Sequence, residues 1–144
     1  MLIKQLLIEA IIEKMIIAHL NTSGDNGSIP KLISNINRFS DKTSNYLIYG
    51  DKTSILEASN SFRVSNTFLR YLNAFNARVW DADGFTNKWT SRKIINILAK
   101  LKPDIVHIHN LHGYWLDVSD IINYLKLAKI KIVWTLHDYW LLTG

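Results

Sequence analysis

Apolar and polar positions along the chain fall into short blocks that switch between a strand period and a helix period. MIIAHLN (15–21) is a mostly apolar run bounded by TSGDNGS, which predicts a buried strand followed by a glycine-containing turn. SIPKLISNINRF (28–39) predicts a helix. Ser28 is placed to cap it, Pro30 suits its first turn, and Leu32, Ile33, Ile36 and Phe39 share a face. DKTSN predicts a loop, and YLIYG (46–50) a second strand stopped by Gly50. Residues 51–62 are polar and assign no element. NTFLRYLNAFNARVW (66–80) predicts a helix through Phe68, Leu69, Leu72 and Phe75, and DADGF a turn. TSRKIINILAKLK (90–102) predicts a helix capped by Thr90 or Ser91, with Ile94, Ile97, Leu98 and Leu101 on one side and Pro103 at its end. DIVHIH (104–109), DVSDIINYLKLAK (117–129) and IKIVWTLH (130–137) predict strand, helix and strand. There is no internal repeat and no low-complexity linker.

Strands alternating with helices predict an α/β fold: a Rossmann-like parallel sheet with helices on both faces. In the unit Asp104–Asp138 one helix joins two strands, so the strands are parallel and the crossover right-handed. Both carboxyl ends then lie on one edge of the sheet. That edge gathers His107, His109, His112, His137 and Asp138, and Gly24 to Ser28 reach it from the first strand. Open α/β sheets bind ligands there. The sequence ends at Gly144, just past a strand, which predicts an incomplete layer and an exposed apolar flank near Asp104–Gly144.

Composition narrows the class. With 144 residues, 48% apolar and 20% charged, the chain has the make-up of a single globular domain with a core, not of a disordered segment. A formal charge of +5 favours anionic partners such as phosphorylated ligands or anionic membrane surfaces. The Lys and Arg residues are scattered, with no run of five, which argues against nucleic acid. The absence of cysteine excludes disulfides and thiolate metal sites and fits the cytoplasm. MLIKQLLIEAIIEK (1–14) is broken by Lys4, Gln5, Glu9, Glu13 and Lys14, too often for a membrane span, and it lacks the features of a signal peptide. Gln5, Glu9 and Glu13 recur at helical spacing, so residues 1–14 read as an amphipathic extension. A docking helix is preferred to a membrane-surface helix, because basic residues do not dominate its polar face.

The histidines carry the candidate chemistry. His107 and His109 are two apart in a strand and share a face, while Val106 and Ile108 point the other way. A metal would need a third ligand from His112, His137 or Asp138, which spacing alone does not supply. A hydrogen-bonded neutral histidine is the commoner arrangement, and it is also the usual acid–base group. For His137-Asp138 two readings stand side by side. The His reaches a ligand hydroxyl or acts as a base, with Asp138 fixing a ring tautomer; or it is a strand-end His satisfied by backbone, with Asp138 forming a turn. SGDNGS either offers backbone N–H groups to an anion at a helix N-terminus or is an ordinary turn, and it matches neither G-x-G-x-x-G nor a P-loop. Tyr114, Trp115, Trp134, Tyr139 and Trp140 crowd the same stretches. Aromatic faces suit sugar rings and also pack cores; Trp134, in mid-strand, is assigned to the core.

KPDIVHIHNLHGYWLD and IVWTLHDYWLLTG, supported by DADGF with Thr90 and by NTSGDNGS, resemble the N-terminal half of bacterial family 4 glycosyltransferases. The resemblance runs from about Met15 to Gly144 and is closest to the branch that builds exopolysaccharide, capsule and O-antigen sugars. It implies the GT-B architecture, two Rossmann-like domains with the active site in the cleft between them. The N-terminal domain binds the acceptor. The C-terminal domain binds the nucleotide-sugar and carries paired glutamates. Transfer retains anomeric configuration, and the resemblance implies no metal and no cofactor, the nucleotide-sugar being a substrate. On this resemblance His137 is the catalytic candidate, near the donor sugar. Gly24 and Gly27 match a glycine loop close to the donor phosphates. His109, Asn110, His112 and Gly113 match the rim motif and, with Asp138, are the further substrate-binding candidates.

The chain departs from the family pattern in several places. Ser28 stands where relatives often carry Arg, and Tyr139 where they often carry Cys. A donor-binding domain with paired glutamates is missing, and residues 1–14 precede the usual start. The expectation is therefore a partial acceptor-binding domain over 15–144, inactive alone. In the joined enzyme it would serve transfer from a nucleotide-sugar to a glycan or lipid-linked acceptor in surface polysaccharide synthesis. The basic charge suits weak peripheral contact at the inner membrane face. The alternative is a non-catalytic gene remnant or small binding module that keeps the fold. A stand-alone dinucleotide-binding domain is disfavoured by the absent fingerprint.

Overall fold

The computed structural model of the chain describes residues 14–24, 27–50, 60–65, 71 and 87–139. Strands β1 (Met15–Asn21), β2 (Thr43–Tyr49), β3 (Ser61–Arg63), β4 (Ile105–Ile108) and β5 (Lys131–Trp134) form one sheet. Its order is β3-β2-β1-β4-β5, and every pairing is parallel. Helices α1 (Ser28–Phe39), α2 (Lys88–Leu101) and α3 (Val118–Leu127) supply the described connections. The α/β, Rossmann-like expectation is met. The chain winds outward from β1 to β2 and β3, then returns to place β4 on the other side of β1. The winding therefore reverses between β1 and β4, where doubly wound sheets open a crevice at their carboxyl ends.

The two sheet faces are built from alternate residues of the same strands. Ala18 and Leu20 of β1, Ile48 of β2, and Val106 and Ile108 of β4 are buried on one face. They pack in one cluster with Ile94 and Leu98 of α2 and Ile121 and Leu125 of α3. On the other face α1 lays Ile29 and Ile33 over Leu47 and Tyr49. His19 is in register with Leu47 on one side and His107 on the other, so the face that α1 covers over β2 continues as a row of histidines.

Local details correct the sequence reading. The predicted strand at Tyr46 starts at Thr43, because Thr43, Ser44 and Asn45 pair with Met15, Ile16 and Ile17 instead of forming a loop. β3 falls within and just beyond the polar stretch that assigned no element; it is a short edge strand held by pairing to β2. Gly27, not Ser28, is the N-cap of α1, and it makes no side-chain cap bond. The face of α1 that is buried runs through Ile29 and Ile33, while Leu32 and Phe39 are exposed. For α2 the cap is Asn87, whose side chain accepts from the Thr90 N–H at 3.0 Å, in place of Thr90 or Ser91. Trp134 is partly buried against the core cluster and not enclosed in it. The exposed apolar flank is found on and just after β5, at Ile132, Val133 and Leu136. The helix predicted over 66–80 lies outside the described residues except at Tyr71, as do DADGF, Trp140 and residues 1–13. No helix among the described residues is long and apolar enough to cross a membrane.

Candidate active site

The site is built at the carboxyl edge of the sheet. His109 directly follows β4, and its N–H donates to the Leu20 carbonyl at 2.9 Å and so continues the β1 ladder. The chain then loops through Asn110–Gly113. Thr22, just past β1, holds this loop: its hydroxyl lies 3.0 Å from the Asn110 carbonyl oxygen and 2.8 Å from that of His112. Gly113 and Tyr114 take successive positive φ angles of 100° and 62°, which reverse the chain. Glycine adopts the first without strain. The reversal drives Trp115 into the core, fully buried against Gly50; a Cβ on Gly50 would come within 2.5 Å of the indole. Asp117 then caps α3 by accepting from the Asp120 N–H, and Ser91 at the start of α2 accepts from the Asp117 N–H at 2.7 Å.

The two histidine motifs meet here. His112 Nε2 lies 3.2 Å from Asp138 Oδ2, both side chains half exposed. His109 Nδ1 lies 3.1 Å from His137 Nε2. His109, Asn110, Leu111, His112, Trp134, Leu136, His137 and Asp138 line one shallow depression. The structure thus brings together His109, Asn110, His112, His137 and Asp138 of the predicted set, with Gly113 beside them on the Thr22 methyl group. Gly24 and Gly27 follow β1 toward the same edge but are not in that depression. Gly24 is buried against the Tyr49 ring, where a Cβ would come within 2.4 Å, so packing alone requires glycine there.

Three polar residues that the sequence reading passed over extend the site inward. His19 Nδ1 lies 3.1 Å from His109 Nε2, and His19 Nε2 lies 3.0 Å from Asn45 Oδ1. Asn45 is held in turn by Asn37 of α1. His107 stands beside this line, its ring 4.1 Å from that of His109 and its Nε2 2.8 Å from the Thr135 hydroxyl. The signal for His19 was present in the alternation of β1, where Ala18 and Leu20 face one way and His19 and Asn21 the other. What sequence alone lacked was the neighbour relation of β1 and β4.

Burial sets the charge of the row. Desolvation lowers the pKa of His109 to about 3, with the neighbouring charges of His107, His19 and His137 acting in the same direction. Burial also lowers His19, opposed in part by its hydrogen bond to Asn45. Burial and the charge of His137 lower His107. All three are neutral imidazoles at neutral pH, each with one donor and one acceptor nitrogen. Nitrogens of His19, His107 and His109 lie within 4.8 Å of one another. Both nitrogens of His19 and both of His109 are already hydrogen-bonded, so a cation bound there would have to displace those bonds.

Residues 62–143, from β3 through the second histidine motif, match the sequence profile of Glycosyltransferase Family 4. The chain belongs to this family. Over 47 residues it is 38% identical to the Escherichia coli (strain K12) protein named "Putative colanic acid biosynthesis glycosyl transferase WcaC". That alignment covers 29% of this chain and 12% of the relative, so the chain spans only a small part of the curated relative's length. No solved structure matches the chain. The family 4 segment holds β4, α3 and β5 with His107, His109, His112 and His137. His19, Asn37 and Asn45 lie outside it.

Proposed function

We propose that this family 4 chain forms the acceptor-side part of a retaining glycosyltransferase of surface polysaccharide synthesis, taking a sugar from a nucleotide-sugar to a glycan or lipid-linked acceptor. The observation that carries the reading is the meeting of the two histidine motifs at the switch-point edge, through His109–His137 at 3.1 Å and His112–Asp138 at 3.2 Å. This edge is where an open α/β sheet receives its ligand. A depression lined by imidazole, carboxamide, carboxylate and indole groups suits a polyhydroxylated ring, which offers both hydroxyls and C–H faces. His137 is the proposed catalytic group. Asn110, His112, Gly113 and Asp138 form the substrate rim, and Gly24 and Gly27 lie on the side assigned to the donor phosphates. The reading assigns the nucleotide-sugar mainly to a second Rossmann-like unit facing this edge. The net charge of +5 supports weak attraction to an anionic lipid headgroup or lipid pyrophosphate.

The test is a titration of the nitrogen-15-labelled chain with a short-chain polyprenyl-pyrophosphate-linked hexose, and separately with UDP-glucose. The lipid-linked sugar should shift the backbone amides of Asn110–Gly113 and His137–Tyr139 saturably, and UDP-glucose alone should shift them less. Saturable binding confined to the α2–α3 face, or no saturable shift at the rim, would overturn the reading.

A further inference from the structure

The hydrogen bonds inside the histidine face determine one another in sequence, beginning from the backbone. The Asn45 N–H donates to Asn37 Oδ1 at 3.0 Å, and Asn37 Nδ2 donates to the Asn45 carbonyl at 3.0 Å. A backbone N–H only donates and a carbonyl only accepts, so the orientation of the Asn37 amide is fixed. Asn45 Nδ2 donates to Asn37 Oδ1 and to Thr43 Oγ1, each at 3.0 Å, which fixes the Asn45 amide with Oδ1 toward His19. Asn45 Oδ1 only accepts, so His19 carries its proton on Nε2. As a neutral ring, His19 then accepts at Nδ1, and His109 must donate from Nε2. His109 in turn accepts at Nδ1, and His137 must donate from Nε2. Asn45, His19 and His109 are 1%, 3% and 3% exposed, so water does not compete for these bonds.

We propose that Asn37, Asn45, His19 and His109 are positioning residues: they form a tautomer relay that holds a proton on Nε2 of His137 and leaves Nδ1 as its single ligand-facing nitrogen. The inference rests on the reading of His137 as the group that meets substrate. Its consequence is specificity. In neutral His137 the free nitrogen is a hydrogen-bond acceptor, so it takes a sugar hydroxyl and turns away an anionic phosphate oxygen. A proton passed inward stops at His19, because the Asn45 carboxamide does not take it up. The relay therefore orients the ring and does not conduct protons across the sheet. It also ties the rim to α1, which is sequence-distant from both histidine motifs.

The test is a long-range proton–nitrogen correlation spectrum of the 144-residue chain at neutral pH, labelled with nitrogen-15. The expected result is a single neutral Nε2–H tautomer for His19 and His109, and a protonated Nε2 on His137. An Nδ1–H tautomer at His19 or His109, or a mixed tautomer at His137, would overturn the relay. Stoichiometric Zn2+ converting His19, His107 and His109 to metal-bound resonances would overturn it as well, because the cluster would then be a metal site. Asn45 Oδ1 is the acceptor from which the relay starts. Asn45→Leu removes it and should abolish the single tautomer at both; an unchanged His137 in folded Asn45→Leu overturns the relay. If Asn45→Leu does not fold, the wild-type spectrum still decides. None of these readouts requires sugar binding. A correct tautomer pattern in a chain whose rim ignores the lipid-linked sugar would sink the transferase reading and leave the relay standing.

Discussion

The two faces of the sheet use neighbouring residues of the same strands for opposite purposes. On β4, Val106 and Ile108 are completely buried under α2 and α3, while His107 and His109 point into a row of imidazoles. On β1, Ala18 and Leu20 belong to the first face and His19 to the second. The apolar face gains from removing area from water, and its side chains are interchangeable with others of similar volume. The histidine face gains little from burial, because desolvation of a charged ring is costly and each neutral ring needs two partners. It is held by specific bonds, and its residues are replaceable only by groups with the same donors and acceptors. The first face carries the larger core; the second carries a smaller apolar cluster under α1 and makes chemistry available at its edge.

The sharpest way to break this contrast is to truncate adjacent residues. Ile108→Ala should lose about 2–5 kcal/mol, the range for removing a large aliphatic side chain from a closed core. His107→Ala, one residue away on a partly exposed part of the other face, should change stability by under about 1 kcal/mol. Urea unfolding of both variants measures this directly. Equal losses would mean that the histidine face is a second core and that the division of labour drawn above is wrong.

Acid sharpens the contrast next. A histidine whose pKa falls on folding binds its proton better when unfolded, so stability is complete above the ordinary value of 6.5 and is lost as pH falls toward the folded value, about 3 for His109. His109 alone should contribute a slope of about 1.4 kcal/mol per pH unit below 6.5, and His19 adds in the same direction. Denaturant unfolding from pH 6.5 to about 5 isolates this before carboxylates titrate. His109→Gln should flatten the profile by that slope, whereas Ile108→Ala should lower the whole curve and leave its slope alone.

How much of this was readable in the sequence follows from the same contrast. Alternation in VHIH and the strand–helix–strand spacing were enough to place His107, His109, His137 and Asp138 at one edge, because a period of two and a right-handed crossover leave few choices. Ala18-His19-Leu20 alternates just as clearly, yet by itself it marks His19 only as part of a buried strand. Its meaning depends on lying beside His107, a pairing between residues 88 apart in the chain. For Asn45 the local composition, DKTSN, favours a turn, and pairing with β1 overrides it. The expected caps lie one residue (Ser28) and three or four residues (Thr90, Ser91) past the observed ones, since Gly27 and Asn87 are also accepted N-cap residues. Helical spacing puts Leu32, Ile33, Ile36 and Phe39 on one face without saying which edge of that stripe meets the sheet, and Leu32 and Phe39 are exposed.

The smallest expected effect concerns the bond that joins the two regions. Thr22 sits where β1 leaves the sheet, and its hydroxyl bridges the carbonyls of Asn110 and His112, while its methyl group meets the position a Cβ on Gly113 would occupy. Thr22→Val keeps the shape and removes the hydroxyl. It should cost about 1 kcal/mol of stability, the ordinary net value of a partly buried hydrogen bond. Its larger consequence should be local: amide hydrogen exchange at Asn110–Gly113 should quicken while Val106 and Ile108 keep their protection. If exchange at Val106 and Ile108 quickened equally, the rim would not be a separately anchored element. Its order would then come from the core face, and the histidine motifs would be positioned by packing instead of by the polar bonds that Thr22, Asn45 and Asn37 provide.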